Sequence, residues 1–285
     1  MSKLADIEAI RVAESLVRTF ITSTSSEWFS KYSSAKEVVD SVTAGCQRVI
    51  VKENRGGSRL FDGEAISQAP AFLRPIAHSV GVGDCFDVAF LVCEKSVGPE
   101  QAIRFASLVA GEYAATTLPD MFKTSTEAVL RLPPCDVLSL AGVELPWEAR
   151  CKRQVYIAAP DFNTVDTRLV DRAIEALKYH NFRPRAPVRE NGEAAPNADL
   201  VTRTQLAEQD LTILAECDAL LAILIYSDPG TIAEVGIAFA RGLPIILFDP
   251  FGLAHNLMLL NCATRVVSTL EEAIDAIFEV FNSAR

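Results

Sequence analysis

Residues 219–248 read ALLAILIYSDPGTIAEVGIAFARGLPIILF. The unbroken apolar run 219–226 is far too short to cross a membrane, and it does not alternate with polar residues as a half-exposed strand would. It therefore reads as a strand buried on both faces. TIAEVGIAFARG then carries the spacing of a helix that stops at Gly242, and LPIILF returns as a second buried strand. On that helix Glu234 is the only ionisable side chain between Asp228 and Arg241. Thr231 and Glu234 match the S/T-x-x-E capping box, in which the glutamate reaches back to the first turn. A glutamate alone on an apolar helix beyond a buried strand is equally placed for chemistry, and the local pattern leaves both readings open.

The same rhythm extends outward on both sides. QVYIAAP (154–160) reads as a strand, TRLVDRAIEALKYHN (167–181) and ADLVTRTQLAEQDLTILAECD (198–218) as helices, ATRVVST (263–269) as a last strand and LEEAIDAIFEVF (270–281) as a closing helix. Alternating β and α segments with apolar strands predict a Rossmann-like, doubly wound parallel sheet covered by helices on both faces. Ligands in such sheets bind beyond the carboxyl ends of the strands, where Asp228 and Glu234 fall. Asp210 on the preceding helix and Tyr156, Pro160 and Asp161 at the end of the opening strand belong to the same edge, and Gly230 and Gly236 bracket the glutamate. Carboxylates gathered at an apolar edge raise one another's pKa, so one holds a proton while another stays ionised. Glycosidic bond cleavage uses that division between a nucleophile and an acid. RPRAPVRE (183–190) reads as a solvated loop whose Arg183, Arg185 and Arg189 are within chain reach of a substrate phosphate.

The amino-terminal half, to about residue 118, is mixed α/β. Helices are expected near 6–20 and 35–45, a strand over RVIVKE (48–53), a turn from Asn54 to Gly57, and a short hairpin in SRLFDGEAIS (58–67). Two helices follow, in GVGDCFDVAFLVCEK and GPEQAIRFASLVAGEYAATT. Pro119, Pro133, Pro134 and Pro146 then interrupt short apolar pieces, so 119–153 reads as a linker between domains at 1–118 and 154–285.

With 285 residues, 49% hydrophobic and 22% charged, the chain has globular composition and length for two cores. Its formal net charge of −10 sets up a field that repels polyanions, which argues against nucleic acid and anionic membrane as partners. Seven scattered cysteines never form C-x-x-C, and His78, His180 and His255 have no ligand spacing, so neither a disulfide framework nor a metal site is expected. Cys85 begins a helix beside Asp84, whose charge opposes a thiolate. The opening MSKLADIEAIRVAESLV mixes acids and arginine into its apolar positions and reads as an amphipathic helix rather than a signal peptide. These features together predict a cytoplasmic setting.

Across 154–282 the sequence resembles the nucleoside 2-deoxyribosyltransferases and their relatives that hydrolyse nucleotide N-glycosidic bonds, most strongly in D-P-G-T-x-x-E-x-G from Asp228 to Gly236. The resemblance implies that Glu234 attacks the anomeric carbon and forms a glycosyl-enzyme intermediate. It further implies that Asp228 contacts and helps protonate the base, that Asp210 binds near base or sugar, and that Tyr156 orients the nucleophile. Asn256 and Met258, in HNLM (255–258), resemble a segment that reaches a neighbouring subunit's sugar pocket, which implies a homo-oligomer with a composite active site. Ala159-Pro160 departs from the family's G-P pair, and the added Cβ narrows the space for the sugar or its phosphate.

Residues 5–118 resemble the final third of the ribokinase-like, phosphofructokinase-B family of carbohydrate kinases. On that resemblance Gly81, Gly83 and Asp84 match the anion hole and catalytic aspartate, Asn54 and Gly57 the turn beside the nucleotide, and 102–115 the helix flanking adenine. The portion that carries the sugar pocket and lid has no counterpart, so this half is expected to be a partial ribokinase-like domain that binds a nucleotide or only supports structure.

The sequence thus points to cleavage or transfer at the N-glycosidic bond of a nucleoside, nucleotide or nicotinamide dinucleotide through a covalent glycosyl-glutamate, with no cofactor required and a small molecule as partner. The rival reading is a regulatory or sensor protein with two degenerate nucleotide-binding domains.

Overall fold

The computed structural model describes residues 17–283 except 28, 43–45 and 196. The chain divides into two compact units, Met1–Glu148 and Ala149–Arg285.

The first unit holds a four-stranded sheet of β1 (Val17–Ser23), β2 (Cys46–Lys52), β3 (Ser58–Asp62) and β4 (Ala65–Ala69), adjacent in that order. β1 runs parallel to β2, and the remaining pairs are antiparallel. Alternation along β2 divides the core. Val49 and Val51 pack with α1 (Ala35–Val42), while Ile50 joins Leu60 under α2 (Val82–Val97) and α3 (Pro99–Ala114). The helix expected over 6–20 is corrected where it can be seen: residues 6–16 lie outside the described residues, and 17–20 open β1. β-branched Thr19, Ile21 and Thr22 favour the extended chain, and β2 supplies its hydrogen-bond partner.

The stretch expected as a linker is folded. It forms α4 (Pro119–Leu130) and α5 (Pro134–Ser139), and Val129 and Val137 enter the core beneath α2 and α3. Pro119 and Pro134 sit in the first helical turn, where a missing N–H costs nothing, so these prolines start helices instead of interrupting the chain.

In the second unit β5 (Gln154–Ala158), β6 (Arg183–Arg185), β7 (Ala219–Ile223), β8 (Ile245–Phe248) and β9 (Arg265–Val267) form one parallel sheet in the order β6-β5-β7-β8-β9. Its helices are α6 (Arg168–Tyr179), α7 (Pro187–Asn191), α8 (Leu200–Glu216), α9 (Pro229–Ala240), α10 (Leu257–Cys262) and α11 (Leu270–Ser283). Tyr156, Ala158, Leu220, Ala222, Ile245 and Leu247 face α8 and α9. The alternate residues Val155, Ile157, Leu221, Ile223, Ile246 and Phe248 are also buried, on the face that α11 and α6 cover. This is the doubly wound arrangement. Its strand order reverses at β5, so the topological switch point lies between the carboxyl ends of β5 and β7.

RPRAPVRE is not a loop. Arg183–Arg185 is the edge strand β6, where Pro184 is tolerated, and Pro187–Asn191 is α7. Two of its three arginines are engaged: Arg185 with Gln154, Glu190 and Glu216, and Arg189 with Asp161 and Asp171. Among the described residues no helix is long and apolar enough to cross a membrane.

Candidate functional site

The carboxyl ends of β5 and β7 bring together residues far apart in sequence. Tyr156, 1% exposed in the middle of β5, donates from Oη to Oε1 of Glu234 at 2.6 Å. Glu234 lies in the second turn of α9 and is half-buried.

Glu234 is not the cap of its helix. Asp228 is: its Oδ2 accepts from Thr231 N at 2.7 Å and from Thr231 Oγ1 at 2.9 Å. The capping box read from Thr231 and Glu234 is therefore corrected, because the helix begins at Pro229, one position after Asp228. Asp228 occupies the same rim and is 8% exposed. A Cβ on Gly230 would approach Asp228 Oδ2 to 3.1 Å, whereas Gly236 faces open space. The former glycine keeps room for the capping carboxylate.

Burial pushes the Glu234 carboxyl up to about 7; the Tyr156 hydroxyl opposes this by bonding the charged form, and the charges of Asp210 and Asp228 reinforce it. Burial and the neighbouring Glu234 charge hold the Tyr156 phenol well above its ordinary range, so it remains a donor. Asp210, on α8, is raised by burial, and Asn191 opposes this by donating from Nδ2 to Asp210 Oδ1 at 2.8 Å. Three acids and one phenol thus share an edge, and one carboxyl titrates near neutrality.

Pro160 is buried where the chain leaves β5. Asp161 is clamped by Arg189, at 2.9 Å to Nη2, and the same Nη2 reaches Asp171 at 2.8 Å. Asn256 caps α10, accepting from Met258 N at 2.8 Å and Leu259 N at 3.3 Å. Leu257 and Met258 project outward, 79% and 70% exposed. Asn191 was not singled out by sequence reasoning. Its only signal there is the Asn-Gly pair that ends α7, which says nothing about Asp210.

In the first unit Gly81 caps α2 in the left-handed region at φ 77°, Gly83 follows, and Asp84 is exposed in the first turn. Lys52 Nζ donates to Gly83 O at 3.0 Å and pairs with Asp87 at 2.6 Å. Asn54, at φ 53°, opens the 3-10 turn Asn54–Gly56, and Gly57 closes it at φ 96°. His78 bonds the carbonyls of Val80 and Thr116 and packs on Tyr113, while His180 packs on Phe278. No cluster of potential metal ligands occurs among the described residues.

The switch point of a doubly wound parallel sheet thus carries a half-buried glutamate held by tyrosine, and such a perturbed carboxyl marks a candidate small-molecule site. The nucleoside 2-deoxyribosyltransferase family model matches residues 155–258, so this stretch is similar to that family. Similar solved structures include a 2-deoxyribosyltransferase from the psychrotolerant bacterium Bacillus psychrosaccharolyticus, 25% identical, with 42% of this chain and 88% of that chain covered and a TM-score of 0.38. A conserved protein of Enterococcus faecalis is 20% identical over 47% of this chain and 99% of its own, with a TM-score of 0.37. Phosphofructokinase-2 of Escherichia coli is 18% identical over 46% of each chain, with a TM-score of 0.36. No curated protein matches the chain.

Proposed function

We propose that the second unit cleaves or transfers the N-glycosidic bond of a nucleoside, nucleotide or nicotinamide dinucleotide, with Glu234 as nucleophile. The observation that carries this reading is the 2.6 Å bond from Tyr156 to a half-buried Glu234 flanked by two aspartates. Tyr156 aims one carboxylate oxygen and favours its ionised form. The other oxygen attacks the anomeric carbon as the bond from that carbon to the base breaks, and the bonding pair leaves on the base nitrogen. Asp228 and Asp210 contact the base, and a proton from this pair neutralises the departing nitrogen. A second base or a water molecule then attacks the anomeric carbon and releases Glu234; its proton restores the aspartate. The steps use protein carboxylates alone and no cofactor.

The exposed Leu257 and Met258 support a composite site in a homo-oligomer, in which this segment borders the sugar of a neighbouring copy. A nucleotide at Gly81, Gly83 and Asp84, with Asn54 and Gly57 alongside, is the ligand proposed for the first unit.

The test is chromatography of a panel of 2′-deoxyribosyl, ribosyl and dinucleotide substrates after incubation. Free base from the wild type and none from Glu234→Gln is the expected outcome. A ligand that raises the Tm yet is recovered intact makes the protein a sensor instead.

A further inference from the structure

The helix α2 is apolar on two faces. Its inner face sends Phe86, Phe90 and Cys93 into the core, where each is at most 6% exposed. Its outer face carries Val88 at 62%, Leu91 at 51% and Val92 at 62% exposed. An amphipathic surface helix would place polar side chains there, and a helix apolar all round is one that is covered. Asp84, Val88, Leu91 and Lys95 follow one another at steps of four, three and four residues, the spacing of a coiled-coil seam, and Val92 widens the stripe. Gly98 ends the helix in a conformation of positive φ, as Gly81 begins it, so the seam is confined to these four positions.

The charges on this helix fall into two groups. Off the seam, Asp87 pairs with Lys52 and Glu94 with Arg48 inside the unit. On the seam, Asp84 and Lys95 are exposed, and among the described residues neither has an ion-pair partner. The four seam positions are symmetric about the midpoint between Ala89 and Phe90. A two-fold antiparallel pairing of α2 with itself therefore sets Val88 against the partner's Leu91 and Asp84 against the partner's Lys95, at both ends at once. A parallel pairing would oppose like charges.

We propose that this outer face of α2 is a self-association surface whose occupant is the same face of a second copy of the chain, packed antiparallel. The contact is isologous, as expected of a symmetric dimer. Its small area makes the dimer weak and dependent on concentration.

The experiment is sedimentation of the full chain over a concentration series, with Asp84→Lys and Lys95→Asp made separately. Each variant opposes like charges at both ends of its own pair, and each is expected to weaken self-association about tenfold, from two lost ion pairs and the new repulsion. Mixing the two variants restores opposite charges at both ends, and association is expected to return to near the wild-type level. Leu91→Asp abolishes the part of it that the charge variants weaken and leaves the association proposed for the second unit in place. A variant that fails merely because it misfolds is not rescued by mixing. A mixture that associates no better than the separate variants overturns the proposal, as does a wild type whose association Leu91→Asp leaves unchanged.

Discussion

The hydroxyl of Tyr156 meets the carboxylate of Glu234 across 78 residues of chain, donating at 2.6 Å from the middle of the first strand of the second unit to the second turn of the helix after its third strand. The bond offsets part of the cost of burying a charge, and it fixes which oxygen remains free. Replacing Tyr156 with Phe keeps the ring and removes the donor. Glu234 then titrates higher than its present value of about 7. The ascending limb of the kcat/KM profile moves to higher pH, and turnover at pH 7 falls about tenfold, the equivalent of one hydrogen bond to a charged group. An unmoved limb in a pH-rate series would remove Tyr156 from the proposed mechanism.

Glu234 also weighs on stability. Its folded pKa of about 7 lies above the ordinary 4.5, so the native state holds this proton more tightly than the unfolded chain does. That contribution is fully present below pH 4.5 and is lost as pH rises through 7. Glu234→Gln cannot ionise, so above pH 7 the variant's second unit should be more stable than the wild type's by up to about 3 kcal/mol, with the advantage fading toward pH 4. Thermal unfolding of both proteins at pH 5 and pH 8 measures the difference; equal Tm gaps at the two pH values would contradict it.

Asp228 combines a structural duty with a proposed chemical one, and two substitutions separate them. Asparagine caps helices as well as aspartate does, so Asp228→Asn should leave the Tm of the second unit nearly unchanged while base release collapses. Asp228→Ala should lose both, with a stability cost of about 1–2 kcal/mol from the cap. Should Asp228→Asn retain full turnover, the carboxylate acts only as a cap.

Gly57 anchors the hairpin side of the first unit. It adopts φ 96°, and a Cβ there would lie 2.3 Å from the carbonyl oxygen of Ala69. Since that neighbour is backbone in a paired strand, Gly57→Ala is expected to destabilise the first unit by about 3 kcal/mol or more. Denaturant unfolding would register this as a lower midpoint for the first unit alone.

Much of the second unit was legible because its signals are local. The apolar run at 219–223, the helical spacing after Pro229 and the strand at 245–248 each declare themselves within a few residues. Edge strand β6 did not, since Arg183, Pro184 and Arg185 are polar or lack a donor, and only pairing with β5 makes them a strand. The helices α4 and α5 were hidden by prolines that open them, and the start of α9 was read two residues late for a related reason: Pro229 and Gly230 look like a turn until Asp228 is seen to cap them.

The sequence by itself determined the long apolar strands and amphipathic helices of the second unit, that this unit is a parallel sheet, and that a single glutamate stands on an apolar helix, because periods of two and of three to four residues are set by neighbours along the chain. Tertiary structure alone decided that β5 lies beside β7, that Asp228 rather than Glu234 caps α9, and that Asn191 holds Asp210. Strand order is fixed by how whole helices cover a sheet, and a side chain's partner 78 residues away leaves no local trace.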